Sequence, residues 1–178
     1  MSTRVPTDEL QFGYQERRRF DKTIEFIDEL YEPIADLGEL NPFKEELQEH
    51  FGKVIQSIDV DLDREEIAGK FGTIFCFEVL EHLFNPLFCL EQMKKALHST
   101  GVIYLSTPYR NHLIWGNRHF HEIDDKRIRW LFAAAGLEII KQAKIAIRFQ
   151  WYWHLSGIRP LLRLFQKTRI YKLKVATQ

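Results

Sequence analysis

The sequence is poor in the features that mark disulfide-rich, repetitive or membrane-spanning proteins. It has two cysteines in 178 residues, and Cys76 and Cys89 lack metal-ligand spacing, so we expect buried thiols in a reducing compartment. No internal repeat or low-complexity tract is present. No run approaches the ~20 apolar residues of a membrane-spanning helix, and the N-terminus lacks the apolar stretch of a secretory signal. These absences predict a cytoplasmic protein.

The length limits the architecture. A chain of 178 residues fits one domain and is too short for an eight-stranded β/α barrel, which usually needs ~250 residues. A composition of 45% hydrophobic and 13% aromatic residues excludes a disordered chain and is sufficient for a core. We therefore expect a single domain over residues 1–178, beginning with a loose tail over residues 1–13.

Acidic residues are missing from the C-terminal part of the chain. The 25 basic and 25 acidic residues balance, but residues 141–178 hold nine Lys/Arg and no Asp or Glu, which leaves a formal charge of −9 on the remainder. This basic segment also contains aromatic residues such as Trp151 and Trp153. Two interpretations are open. The segment binds nucleic acid, an anionic membrane surface or an anionic substrate, or it docks on the acidic remainder.

Hydrophobic periodicity predicts alternating helices and strands. This alternation indicates an α/β fold with a mostly parallel sheet and helices on both faces, which the basic aromatic segment 141–178 packs on or extends. We place the stop of one helix at Gly101, and we expect the last strand to have one exposed face. The predicted helices span 14–30, 43–51, 85–98, 124–135 and 151–166, and the predicted strands span 34–37, 54–60, 73–77, 102–105, 137–147 and 171–175.

Polar residues follow several of the predicted strands. Ligands of open parallel sheets bind beyond the carboxyl ends of the strands, so these strand ends are candidate parts of a binding site. They are residues 36–42, 59–63, 77–82 and 106–110.

A run of motifs in the middle of the chain resembles a known family. Residues 71–83 read FGTIFCFEVLEHL and are followed by Asn85-Pro86, a helix, a turn at Gly101 and a strand that ends at Pro108. In this order they resemble the fourth-strand to fifth-strand half of class I S-adenosylmethionine-dependent methyltransferases, in particular the group with an E-V-L-E-H-L signature. Residues 119–122, HFHE, resemble the substrate-side loop of the same family. The resemblance covers residues 31–145 and implies a Rossmann-like domain, S-adenosylmethionine as cofactor and methyl transfer as activity.

The first half of the resemblance departs from the family pattern. The family has an acid-x-G-x-G-x-G loop after its first strand, and residues 36–42 here read DLGELNP, with the first glycine alone retained. Leu40 and Pro42 bring side chains to positions where glycine lets the backbone approach the methionine part of the cofactor. One strand is predicted between Asp36 and Glu78 where the family has two, so we expect one strand–helix unit to be missing or compressed.

The resemblance implies a set of cofactor-binding residues at the strand ends. The Gly38 turn would admit the amino acid part of the cofactor, and Asp36 would orient that turn or attract the ammonium group. Asp59 or Asp61 would accept the ribose hydroxyls or lie near the adenine, and the sequence does not choose between them. The alternative is that Asp36 only caps its turn and that residues 59–63 form a solvated loop. The predicted set is Asp36, Gly38, Glu39, Asp59, Asp61, Phe77 and Glu78.

Three histidines are candidates for a general base that takes a proton from the methyl acceptor, namely His82, His119 and His121. The histidine-rich segment 112–122 lacks the spacing of a metal motif, so we predict a substrate-facing loop and no metal site. The segment 78–82 has a second interpretation, a charge cluster that satisfies the N–H groups at a helix start.

The predicted function is methyl transfer from S-adenosylmethionine to a small-molecule or carbohydrate-type acceptor. Residues 109–122 and the basic C-terminal segment would form the acceptor side. One alternative is a non-catalytic binding module of the same fold, in which Leu40 and Pro42 fill the cofactor cleft. A second alternative is a binder of nucleic acid or an anionic surface through the basic C-terminus.

Overall fold

The computed structural model describes residues 14–38, 42–108, 120–121, 123–146 and 167–177. No helix in these ranges is long and apolar enough to cross a membrane. The predicted helix over 151–166 lies outside the described residues. In chain order the elements are α1 (Tyr14–Phe26), β1 (Ile34–Leu37), α2 (Pro42–Phe51), β2 (Ile55–Ile58), β3 (Phe71–Phe77), a 3-10 turn (Leu80–His82), α3 (Pro86–Ala96), β4 (Leu97–Pro108), α4 (Asp125–Ala135), β5 (Leu137–Ala146) and β6 (Lys167–Val175).

The strands of the described ranges form one sheet in the order β2-β1-β3-β4-β6-β5. β1 is parallel to β2 and β3, and β3 is parallel to β4. β6 is antiparallel to both β4 and β5, so β5 runs in the direction of the parallel strands. The predicted α/β fold with a mostly parallel sheet is confirmed. Within the described residues a single strand, β2, separates β1 from β3 along the chain, as expected for the loss of one strand–helix unit.

Helices cover both faces of the sheet. Successive side chains of a strand point to opposite faces, so neighbouring apolar residues of one strand pack into two different cores. On one face Ile74 of β3 lies in a core with Leu90 of α3 and apolar residues of α4. On the other face the next residue, Phe75, lies in a second core with Phe20 of α1 and apolar residues of α2. Each such fully buried side chain contributes about 1.5–3 kcal/mol of burial free energy. These two cores fix the helices relative to the strand ends.

The start of α3 and both ends of α4 lie where the sequence predicts. The Asn85 side chain accepts a hydrogen bond from the Phe88 N–H at 3.2 Å, which caps α3. The Asp124 carboxylate accepts from two N–H groups in the first turn of α4, and Gly136 ends that helix with a φ of 71°. Both caps satisfy backbone groups that a helix end would otherwise leave unpaired.

The first helix is shorter than predicted. α1 ends at Phe26 rather than near Leu30, because Tyr104 of β4 bonds the backbone that follows. The Tyr104 hydroxyl oxygen accepts from the Glu29 N–H at 3.2 Å, and the same hydroxyl donates to the Asp28 carboxylate at 2.9 Å. A tertiary contact therefore overrides a periodicity that continues to Leu30.

The predicted helix stop at Gly101 is wrong. α3 ends at Ala96, and Leu97 already belongs to β4, so Gly101 lies inside a strand. A Cβ atom at Gly101 would sit 2.7 Å from the Gly72 carbonyl oxygen. Glycine is therefore needed here for the close approach of β4 to β3 rather than for ending a helix.

The last strand lies in the interior of the sheet, which corrects the prediction of one exposed face. β6 runs between β4 and β5 and spans residues 167–175. Lys172 is only 6% exposed. Its ammonium group is buried because it forms ion pairs with the carboxylates of Asp28 and of Glu29, the second at 2.8 Å. The alternating lysines of this strand indicate paired charges and not a solvated face.

The basic C-terminal segment is paired with acidic residues of the same domain wherever its side chains are described. All the Lys and Arg side chains described between 141 and 178 lie within 4 Å of a carboxylate. This pairing favours the interpretation that the segment docks on the acidic remainder. The aromatic residues of 147–166 lie outside the described ranges. The ion pairs are Lys141–Asp28, Lys144–Asp125, Arg169–Asp125, Lys172–Asp28, Lys172–Glu29 and Lys174–Glu29.

Candidate functional site

A cavity of about 740 Å³ lies at the carboxyl ends of the parallel strands, under α1. Its volume is within the range of ~300–1,000 Å³ that small-molecule sites occupy. Its described lining includes residues from each of the four predicted strand ends, of which the fourth contributes Ser106. The described lining consists of Arg19, Phe20, Thr23, Leu37, Gly38, Phe43, Asp59, Val60, Asp61, Leu62, Phe77, Glu78, Val79, His82, Leu83, Ser106 and Phe120.

The turn after β1 brings backbone close to the far wall of the cavity. Gly38 has a φ of 111°, which side-chain-bearing residues rarely adopt, and a Cβ atom there would lie 3.2 Å from Val79 Cγ2. Asp36 is 5% exposed and is not among the described lining residues. Pro42 begins α2 and does not line the cavity. Glu39 and Leu40 lie outside the described residues.

The two acidic candidates after β2 differ in what holds them. The Asp61 carboxylate accepts a hydrogen bond from the Asp63 N–H at 3.1 Å and lies 3.6 Å from the Arg64 guanidinium, so it caps its own turn. Asp59 follows β2 directly, lines the cavity and is exposed. Within the described part of the chain its carboxylate has no hydrogen bond or ion pair. Asp59 is thus available to a ligand, whereas Asp61 is engaged.

Glu78 is held in an unusual backbone conformation at the end of β3. Its φ is 56°, in the left-handed region that costs a non-glycine residue free energy. Ser106 of β4 fixes this conformation, because its carbonyl oxygen accepts from the Glu78 N–H at 3.1 Å and its hydroxyl donates to Glu78 Oε1 at 2.7 Å. Burial raises the pKa of Glu78, and the nearby Arg19 guanidinium partly offsets this rise.

Glu81 is a buried acid in the 3-10 turn after β3 and is not among the described lining residues of the cavity. It is 1% exposed, and its Oε2 atom has no hydrogen-bond partner. Burial, and next the negative charge of Glu78, raise its pKa to about 9, so the side chain is protonated near neutral pH. Its carbonyl oxygen accepts from the Phe120 N–H at 2.9 Å, which holds Phe120 against the 3-10 turn.

The structure separates the three predicted bases. His82 lines the cavity. His121 lies beside it, with Nε2 3.4 Å from the Phe84 carbonyl oxygen, and His119 lies outside the described residues. The neighbouring Phe120 lines the cavity and contacts Phe84, with 4.1 Å between the centroids of the two tilted rings. Among the described residues no cluster of three His, Cys, Asp or Glu side chains is arranged to hold a metal ion.

Comparison with known families decides the assignment. A family model described as a methyltransferase domain matches residues 16–142, which is more than half of the chain. The chain belongs to the methyltransferase domain family. The match confirms the predicted resemblance and extends it to α1, and it supports S-adenosylmethionine as the cofactor.

Sequence relatives of this methyltransferase domain are matched over short segments. A stretch of 44 residues is 43% identical to the tRNA U34 carboxymethyltransferase of Campylobacter concisus (strain 13826), and it covers 25% of this chain and 15% of that protein. The homologous enzyme of Campylobacter lari (strain RM2100) is 42% identical over 40 residues, or 22% of this chain and 14% of that protein. The chain thus aligns with less than a sixth of the length of these curated relatives.

Solved structures match the methyltransferase domain over most of its length. Phosphoethanolamine N-methyltransferase 2 of Haemonchus contortus, in complex with phosphomonomethylethanolamine and S-adenosylhomocysteine, has a TM-score of 0.66 at 10% identity, over 88% of this chain and 53% of that chain. Magnesium protoporphyrin IX methyltransferase of Synechocystis PCC 6803, with bound S-adenosylhomocysteine, has a TM-score of 0.58 at 14% identity, over 99% and 90%. At these identities the likeness shows the fold.

Sequence reasoning missed the contribution of α1 to the site. Arg19 and Phe20 line the cavity of this methyltransferase domain although they lie upstream of residues 31–145. Phe20 stacks on Phe43 at 4.3 Å, and Phe43 lies 5.6 Å from Phe77, so three aromatic rings form one wall. The available signal was the amphipathic pattern of residues 14–30, which predicts that one face of this helix is buried against the sheet.

Gly38→Ala should destabilise the domain more than Gly52→Ala. Both glycines have positive φ values, but a Cβ at Gly52 meets nothing within 4 Å, whereas at Gly38 it meets Val79 at 3.2 Å. Gly38 also lies at a φ of 111°, outside the common left-handed region. We expect a loss of unfolding free energy of about 2–3 kcal/mol at Gly38 and about 1 kcal/mol at Gly52, measured by urea denaturation. Equal losses would contradict the tight turn.

Proposed function

We propose that this domain binds S-adenosylmethionine in the cavity under α1 and transfers its methyl group to a small-molecule or carbohydrate-type acceptor. The observation that carries the proposal is a cavity of about 740 Å³ that joins the Gly38 turn, the unengaged Asp59 carboxylate and the end of β3. Membership of the methyltransferase domain family supports the reaction class.

The residues around the cavity fit the chemical groups of this donor. The Gly38 turn leaves space for the methionine part, since any side chain there would meet Val79. We assign Asp59 rather than Asp61 to the ribose hydroxyls, because the Asp61 carboxylate is used within its own turn. The aromatic wall of Phe20, Phe43 and Phe77 offers apolar contact to the bound donor. Asp36, Glu39 and Glu78 stay predicted contributors to the same site.

The main task of the protein is to position the reacting groups. S-adenosylmethionine supplies an already activated methyl group when it is bound. The domain has to hold donor and acceptor in line and keep water out. His82 lines the cavity, and we propose it ahead of His121 and His119 as the base that takes a proton from a hydroxyl or amine acceptor.

The acceptor would enter beside Phe120, which lines the cavity and is 52% exposed, and its ring neighbour Phe84, which is 69% exposed. The structural relatives act on different acceptors, a phosphorylated ethanolamine in one case and magnesium protoporphyrin IX in the other. This diversity agrees with acceptor sites that vary on a shared sheet. Pro42 begins α2 and is not in the described lining, which argues against a binding module whose cleft Pro42 fills. The internal pairing of the described basic C-terminal residues gives no support to a nucleic acid or anionic-surface binder.

Calorimetric titration with S-adenosylhomocysteine tests the donor site. The domain should bind one ligand per chain with saturable heat, and a Gly38→Val variant should lose this binding because its side chain enters the turn against Val79. Gly52→Val is the matched control, since its Cβ meets open space. No saturation by ligand up to about 1 mM, a level that corresponds to ~4 kcal/mol of binding, would overturn the proposed function.

A further inference from the structure

We propose that Arg19 of α1 binds the α-carboxylate of the methyl donor. The inference rests on the proposed function and names the partner of one donor group in the same cavity. Arg19 lies upstream of the residues 31–145 that carry the class I motifs, and it reaches the cavity because α1 packs across the carboxyl ends of the strands.

The charge of the cavity favours a cation as the partner of this carboxylate. The described lining contains three carboxylates and, besides His82, a single basic side chain, which is Arg19. The sulfonium and ammonium groups of the donor suit an acidic cavity, but its carboxylate would be repelled there. A buried negative charge has to be paired or hydrogen-bonded. The three carboxylates belong to Asp59, Asp61 and Glu78.

The described contacts of the Arg19 guanidinium orient it and leave N–H donors unused. Its NH1 atom lies 3.5 Å from Glu78 Oε2, a distance beyond a good hydrogen bond. Its Cζ atom lies 5.6 Å from the centroid of the Phe20 ring, and the side chain is 30% exposed. A guanidinium has five N–H donors in a planar fork that fits both oxygens of a carboxylate. One long contact to Glu78 therefore orients the group while leaving donors for a ligand.

The sequence of the loop after β1 gives a reason why this chain would bind the donor carboxylate with a side chain. Positions 39–42 read ELNP, where the family has glycines that bring backbone close to the methionine part. Pro42 has no N–H group to donate. The sequence of this loop lacks two of the family's glycines and one N–H donor, and the Arg19 fork would supply donors to the carboxylate from α1.

A comparison of two donors tests this inference. S-adenosylmethionine and decarboxylated S-adenosylmethionine share the adenosine, sulfonium and amine groups and differ in the carboxylate. We expect wild-type protein to bind the first about tenfold more tightly or better, as a charge-assisted pair would give. Arg19→Met should weaken binding of S-adenosylmethionine by about tenfold and change binding of the decarboxylated ligand less than about twofold. Arg19→Lys should fall between, because it keeps the charge and loses the fork.

Arg18→Met is the matched control, since Arg18 is the adjacent residue on α1 and lines a separate surface groove with Lys22 and Lys141. It should leave both affinities unchanged. Equal weakening of both ligands by Arg19→Met would overturn the inference, because Arg19 would then only support the wall through Glu78. Equal wild-type affinity for the two ligands would overturn the inference alone. Binding of neither ligand by wild-type protein would overturn the proposed function as well.

Discussion

Replacing Asp59 with asparagine should weaken binding of S-adenosylhomocysteine by about tenfold to a hundredfold, because hydrogen bonds to a charged group are worth ~1.5–3 kcal/mol. Asp59 ends β2 at the cavity, and its carboxylate has no partner among the described residues, so its acceptor capacity is free for ribose hydroxyls. The amide of asparagine keeps the shape and loses the charge. Calorimetric titration of both proteins measures the difference directly.

Asp61→Asn is the control for this experiment. The Asp61 carboxylate is bonded to the Asp63 N–H and lies near the Arg64 guanidinium, so the substitution should loosen the turn and leave ligand affinity within about threefold. A large loss of affinity at Asp61 with no loss at Asp59 would reverse the assignment of the two acids.

Replacing Glu81 with glutamine should remove much of the pH dependence of stability above pH 5. The pKa of Glu81 is raised from 4.5 to about 9 in the folded state. Between these values the folded protein keeps a proton that the unfolded chain has released, so unfolding free energy falls as pH rises, by up to ~1.4 kcal/mol per pH unit. Glutamine cannot titrate and matches the neutral acid in shape. The variant should therefore lose less stability between pH 5.5 and pH 8.5 in urea denaturation.

Glu91→Gln provides the comparison for this measurement, because Glu91 is exposed on α3. It should keep the wild-type slope. Burial also raises the pKa of Glu78, so the double variant Glu78→Gln/Glu81→Gln should have the flattest profile. A wild-type slope in Glu81→Gln would show that Glu81 is ionised in the folded protein.

The fold was predictable because local signals and packing agree over most of the chain. Apolar runs and glycine or asparagine caps located the central strands and α3 and α4. Predictions failed where a distant residue decides the outcome. Tyr104 ends α1 early because its hydroxyl bonds the backbone at Glu29. Gly101 is needed because β4 lies close to Gly72 of β3. A local sequence pattern can show neither contact.

Charges were the least predictable feature. Alternation of lysine with apolar residues over 171–175 is typical of a half-exposed strand, yet Lys172 is buried because Asp28 and Glu29, far away in the sequence, pair with it. A contact also distinguishes Asp59 from Asp61, because the Asp61 carboxylate accepts a hydrogen bond from the Asp63 N–H. Sequence spacing placed both acids at the cavity but could not tell which one is engaged.

Arg19 shows how a site residue escapes motif reasoning. The strand ends contain the recognisable class I pattern, whereas α1 is marked only by periodicity, and many arginines open amphipathic helices without facing a cavity. Its position beside Glu78 depends on how α1 packs on the second core through Phe20. The family match from residue 16 includes this helix, but it assigns no role to the side chain.

A crystal structure of the domain with S-adenosylhomocysteine tests the central claim most directly. The account predicts that the ligand lies in the cavity under α1, with its methionine part over the Gly38 turn and its ribose hydroxyls on the Asp59 carboxylate. A ligand bound elsewhere on the domain would contradict it, and so would a cavity that residues 39–42 close at saturating ligand.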